Sequence, residues 1–151
     1  MTRHAHRLAS WQRRTLYLTG AVLLLSGAAW LAVHYAVGAG AGEMPHPAEA
    51  WLLRLHGAGG FAALFVLGVM AAGHVPQGWR YTGRHRWDGQ RSSGITLCVI
   101  GALLALTGYG LYYFAPETVR PALGWAHAFA GLWMAVLIGT HRRRGTEAGG
   151  G

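Results

Sequence analysis

The sequence predicts an all-α protein: a four-helix transmembrane bundle of up-down topology, built from two related hairpins. Three observations carry that prediction. Four stretches, 15–42, 55–79, 92–116 and 121–140, contain no Asp, Glu, Lys or Arg. Charged residues make up 12% of the chain, about half the ~25% of a soluble domain, while 52% are hydrophobic and 24 more are glycine. The 13 cationic residues are all arginine, and they gather in clumps between the apolar runs. A net charge of +8 spread over one surface would suit nucleic acid. Clumps at the ends of apolar runs suit a membrane, so no nucleic-acid partner is expected.

Each uncharged stretch is long enough for a helix of ~20 residues to cross a ~30 Å hydrocarbon core. In lipid the backbone must satisfy its own hydrogen bonds, so these runs are helices and not strands. The helices are placed at 16–37, 51–73, 94–114 and 122–141. The arginines orient them. Arg3, Arg7, Arg13 and Arg14 precede the first helix. Arg80, Arg84, Arg86 and Arg91 follow the second, and Arg142, Arg143 and Arg144 follow the fourth. A four-pass topology puts all of these on one side, leaving only Arg54 and Arg120 on the other. The positive-inside rule then expects an integral membrane protein with both termini in the cytoplasm. Trp51, Trp79, Tyr112, Tyr113 and Trp125 sit near helix ends, where interfacial aromatics belong. The first apolar run exceeds the 7–15 residues of a signal-peptide core, so it is read as a retained helix. Residues 1–144 form one membrane domain, with 38–47 a Gly/Pro loop, 145–151 a disordered Gly-rich tail, and no separate soluble domain.

The second and fourth helices read alike. His56 is followed by Gly60 and Gly68, and His127 by Gly131 and Gly139, at equal spacings. The first and third also read alike: Gly20 and Gly27 are seven apart with Ser26 before the second, and Gly101 and Gly108 are seven apart with Thr107 before the second. Two such hairpins would put the first and third helices on one diagonal of a bundle and the second and fourth on the other. Glycine pairs also serve ordinary close packing of membrane helices.

Nine histidines are many for this length. His4, His6, His46 and His85 fall in tails or loops. Histidine inside a bilayer is costly and by default functional. His127 and His141, fourteen apart, share a face about 21 Å apart along a helix. His56 and His74, eighteen apart, span five turns and about 27 Å. Depth pairs His56 with His127 near the outer ends, and His74 with His141 near the inner ends. Two facing imidazoles across a bundle core are what a haem iron takes as axial ligands. A porphyrin is wider than a helix, so flanking helices must approach it without side chains, a role for Gly20, Gly27, Gly101 and Gly108. The plainer reading makes His74 and His141 interfacial residues and the glycines packing residues.

Four helices, ligand histidines on the second and fourth, a fourteen-residue His spacing and glycines on the other two together resemble the membrane di-haem b-type cytochromes. Both the four-helix bacterial cytochrome b561 group and the haem-bearing bundle of respiratory cytochrome b share this pattern. The segment Arg91-Ser-Ser-Gly94, the run Leu106-Thr-Gly-Tyr-Gly-Leu-Tyr-Tyr113 and the final His-to-His helix are similar to theirs. The likeness covers about residues 11–144. It implies two b-type haems, an outer one on His56 and His127 and an inner one on His74 and His141. Two features depart from it. The spacing of eighteen on the second helix exceeds the thirteen or fourteen of respiratory cytochrome b, and Met70 stands at the fourteenth place as an alternative inner ligand. His34, near the outer end of the first helix, stands where some relatives have a ligand. It could replace His56, accept a hydrogen bond near a quinone, or sit at the interface beside Tyr35.

The expected function is transmembrane electron transfer, between a quinol pool and a redox partner protein or a larger membrane complex. Such a chain is more an electron-transfer subunit than a stand-alone enzyme. Arg54 and Arg120 could pair with propionates of the outer haem, and Arg84, Arg86, Arg91 and Arg142 with those of the inner one. The alternatives are a haem-free accessory subunit packed into a larger complex, and a proton or metal pathway along the histidines. The last lacks any intramembrane carboxylate for a relay. Cys98, mid-span and alone, reads as inert packing.

Overall fold

The structure is a computed structural model, and it describes residues 8–85 and 88–147, the side chains of 81–90 and 144–147 apart. The candidates His4, His6, Arg3, Arg7 and Arg86 and the tail 148–151 lie outside the described residues. Five α-helices follow in order: α1 (Ser10–Val37), α2 (Pro47–Ala72), α3 (His74–His85), α4 (Asp88–Tyr113) and α5 (Arg120–Glu147). A short 3₁₀ turn, Ala39–Ala41, follows α1, and the described residues include no strand. Four helical segments are long and apolar enough to cross a membrane.

Local chemistry sets the helix ends. At the start of α1 the Gln12 side chain accepts the Ala9 N–H at 2.9 Å. The chain leaves α1 at Gly38 and turns through Gly42, whose φ of 86° lies in the left-handed region that glycine enters at no steric cost. Pro47 opens α2, where its missing N–H costs nothing. The helix stops at Ala72 because Pro76 has no N–H to give the Ala72 carbonyl four residues back. Hydrogen bonds from Gly73 N–H to Val69 O and from Gln77 N–H to Gly73 O carry the chain almost directly into α3. The chain beyond residue 73, where the sequence reading ends the second helix, is therefore helix again. This α3 is strongly amphipathic, whereas the four long helices are apolar all round, as membrane spans are. At the far end of the chain α5 runs on through 145–147, which the sequence reading gives to the tail.

Burial is inverted relative to a water-soluble protein. Among the described residues only Val66 and Ala115 are buried hydrophobics, while Thr19, Ser26, Glu49 and Ser93 are buried polar groups. Leu25, Phe61, Leu106 and Phe129 lie about two-thirds exposed or more. Apolar side chains outside and hydroxyls inside suit lipid as solvent, where helix contact rests on small residues and polar pairs.

The described residues divide into two compact units, one spanning 9–66 and the other running from residue 67 onward. In the first, α1 meets α2 in antiparallel register. Ser26 meets His56, and Leu23, three residues earlier, lies where a side chain on Gly59, three residues later, would touch it at 3.1 Å. In the second, α4 and α5 pack along their length. Thr107 meets His127, and Ser93, fourteen residues earlier, meets His141, fourteen later. Between those levels Gly101 lies against Met134 and Gly131 against Leu104. Across the start of this unit the Arg91 guanidinium stacks on the Trp79 ring at 3.6 Å, tying α3 to α4.

Candidate functional site

Three histidines have the same seat. His56 Nδ1 lies 3.0 Å from Ser26 Oγ, His127 Nδ1 lies 2.7 Å from Thr107 Oγ1, and His141 Nδ1 lies 2.8 Å from Ser93 Oγ. In each case a glycine follows the hydroxyl residue, at the place where a side chain would touch the ring. A Cβ on Gly27 would come within 3.2 Å of His56 Cε1, one on Gly108 within 3.4 Å of His127 Cε1, and one on Gly94 within 3.7 Å of His141 Cε1. The repeated motif is thus a hydroxyl residue followed by glycine on one helix, facing a histidine on the next.

The hydroxyls decide the tautomer. A serine or threonine has one proton to give and two lone pairs. Ser26 Oγ gives its proton to Val22 O at 2.6 Å, and Thr107 Oγ1 gives its own to Leu103 O at 2.7 Å, one turn back on their own helices. Toward the ring each oxygen can then only accept, so Nδ1–H of His56 and of His127 donates. The lone pair falls on Nε2, the far edge of the ring. A neutral imidazole with Nδ1–H engaged and Nε2 basic is the form a metal takes as a ligand, with the second bond fixing ring orientation.

Other candidates fall elsewhere. His74 does not lie on α2 but opens α3, so its height is not set by five unbroken turns from His56. Met70 lies within α2. Of the four glycines read as haem-facing, Gly27 and Gly108 abut histidine rings, Gly101 touches the Met134 methyl, and around Gly20 there is open space. The Gly94 contact was not singled out; the signal was present as Ser93-Gly94, fourteen residues before Thr107-Gly108. Arg120 turns back to the Ala115 carbonyl, through Nε at 3.3 Å and Nη2 at 2.9 Å. Arg54 stacks on Trp51 at 4.8 Å. Cys98 is exposed on α4 rather than packed.

A second polar group, missed from sequence, closes the loop end of the first unit. His34 Nδ1 lies 2.8 Å from Glu49 Oε2, and Glu49 Oε1 accepts the N–H groups of Ala39 at 3.2 Å and His46 at 3.0 Å. Glu49 is only 7% exposed. Trp30 stacks on His34 with ring centres 4.4 Å apart, and its indole Nε1 is a buried donor with no hydrogen-bond partner.

Could these residues hold a cofactor? Among the described residues no three His, Cys, Asp or Glu side chains converge to cage a bare ion. The donor set fits instead a metal that brings its own equatorial ligands and asks the protein for single imidazoles. The His56 and His127 seats, with Nε2 basic and glycine backbone beside the ring, suit that demand, and His141 repeats their contacts. Compared with family models, curated proteins and solved structures, the chain finds no match.

Proposed function

We propose that this chain moves electrons across a bacterial inner membrane through two b-type haems, as an electron-transfer component between a quinol pool and a redox partner, with both termini cytoplasmic. The observation that carries the reading is the hydroxyl–glycine seat. A histidine that merely packs in a bundle does not need the same hydroxyl–glycine pair at its Nδ1 three times over, with the Nδ1 proton fixed at His56 and His127. A histidine that must present Nε2 to iron does. The two seats on α5 are fourteen residues apart, about 21 Å along a helix, which suits two cofactors at two depths.

His127 and His141 would each supply one axial imidazole. Their partners are taken from depth in the sequence: His56 for the outer haem, and His74, in preference to Met70, for the inner. When bound, haem supplies one-electron chemistry at a potential that axial ligation, burial and nearby charge tune. The protein's own part is to hold each Nε2 basic, fix each ring and exclude water with the apolar helix surfaces. Arg120, engaged with Ala115 O, is the weaker of the two outer propionate candidates; Arg54 lies against an aromatic face and is the better placed to reach a carboxylate.

The absorption spectrum of detergent-purified protein tests this. A Soret band, reduced-state bands of bis-imidazole haem b and two haems per chain are expected. A colourless protein after haem reconstitution refutes it and favours a haem-free accessory subunit. Haem content of His74→Ala and Met70→Ala then assigns the inner site: the expected loss is one haem for His74→Ala and none for Met70→Ala.

A further inference from the structure

We propose that His34 and Glu49 are positioning residues for the His56 seat: their contact holds α1 at the height on α2 where Ser26 meets His56. This deepens the electron-transfer reading above and rests on it for the consequence to haem binding, whereas the hold on the seat is tested without haem.

A seat of this kind tolerates little slip. His56 Nδ1 stands 3.0 Å from Ser26 Oγ, and at about 3.6 Å such a contact is no longer a hydrogen bond. Two helices that carry it must therefore be fixed along their axes as well as packed. The second unit meets that need with two seats on one pair of helices, Thr107–His127 and Ser93–His141, fourteen residues apart. In the first unit Ser26–His56 is joined instead by His34–Glu49, eight residues further along α1 and seven nearer the start of α2. At 1.5 Å per residue those steps are about 12 and 10.5 Å, so both contacts belong to one antiparallel register. Leu23, where it lies against Gly59, is an apolar side chain over bare backbone and resists sliding little.

The pair is built to be stiff. Glu49 Oε2 accepts the His34 Nδ1–H at 2.8 Å, while Oε1 accepts the N–H groups of Ala39 at 3.2 Å and His46 at 3.0 Å. One nearly buried carboxylate thus ties α1, the turn after it and the start of α2. Trp30 occupies the turn of α1 between Ser26 and His34 and stacks on the His34 ring at 4.4 Å, within 14° of parallel. That stack leaves the imidazole little freedom to swing away from Glu49. Glycines make the room: a side chain on Gly38 would collide with the Glu49 carboxylate, and one on Gly40 would come within 2.7 Å of His34 Cδ2.

Two variants break the pair by different means. Glu49→Ala removes the acceptor of all three bonds. Gly40→Ala keeps both partners and displaces the His34 ring by contact alone. In the haem-free full chain in detergent, ¹⁵N shifts should report the Nδ1–H tautomer of His56 in the wild type and a tautomer mixture in both variants. His127, seated in the other unit, should keep its own tautomer throughout. An unchanged His56 overturns the proposal, because a simple loop cap would leave the seat intact. A change of equal size at His127 also overturns it, since that marks general loosening. Haem titration supplies a second measurement. Ser26→Ala should weaken the haem site that includes His56 by about 10–100-fold, and Glu49→Ala by no more than that. Glu49→Ala added to Ser26→Ala should cost nothing further, because the pair acts through Ser26; losses that simply add refute it. If the protein takes up no haem, the electron-transfer reading fails and the ¹⁵N result still decides the role of Glu49. If haem binds and His56 is indifferent to both variants, the positioning role fails and the electron-transfer reading stands.

Discussion

Replacing Thr107 by valine exchanges one hydroxyl for a methyl of nearly the same shape, and so isolates what that oxygen does for His127. In the wild type the oxygen lies 2.7 Å from His127 Nδ1 while its proton is committed to Leu103 O. Valine leaves the imidazole N–H without this acceptor in a half-buried position. The loss of an acceptor from a half-buried donor costs at most roughly 1–3 kcal/mol, and the ring loses the hydroxyl contact that fixes its tautomer. Loss of such an outer contact typically weakens metal affinity ~10–100-fold, about 1.4–2.8 kcal/mol, so the two magnitudes agree. The assay is titration of haem into the haem-free protein in detergent, followed in the Soret band. The outer-site affinity should fall by about that factor and recover in Thr107→Ser. Thr96→Val serves as control, because the Thr96 hydroxyl bonds only to Ser92 O at 3.0 Å on its own helix. In the haem-free protein, ¹⁵N shifts should report the Nδ1–H tautomer of His127 in the wild type and a tautomer mixture in Thr107→Val. Unchanged affinity together with unchanged shifts would refute the claim that the hydroxyl sets the imidazole.

Further outcomes follow from the same geometry. His127→Ala and His141→Ala should each remove one of two haems per chain, and the double variant should be colourless by absorption. Gly27→Val should lower haem content, because even a Cβ there already comes within 3.2 Å of His56 Cε1, whereas Gly57→Ala, with nothing within 4 Å, should be neutral or raise the melting temperature slightly. Gly42→Ala should destabilise the chain by about 1–2 kcal/mol, read as a lower melting temperature, because its φ of 86° penalises any Cβ. Reporter fusions at the C-terminus should behave as cytoplasmic and an insertion at residue 118 as external; the reverse pattern would overturn the orientation read from arginine.

Much was legible without the fold. Four apolar runs without charge specify four membrane-length helices, because hydropathy and backbone self-satisfaction are local demands that each segment meets alone. The chain likewise announced an unusual set of intramembrane histidines, and the pairing of Ser26-Gly27 with Thr107-Gly108 as equivalent steps. One local signal was passed over: Pro76 cannot donate to the Ala72 carbonyl, so the helix is interrupted at Gly73, just before His74.

What the tertiary structure alone decided is which atoms meet. Hydroxyl contacts to His56, His127 and His141 depend on the rotation and register of one helix against its neighbour, and no composition or periodicity encodes those. The same holds for His34 and Glu49, fifteen residues apart and on opposite sides of a glycine loop. In sequence they are an interfacial histidine and a loop-side acid. They become a pair only because Gly38 and Gly40 let the turn close tightly enough to bring carboxylate and imidazole to 2.8 Å.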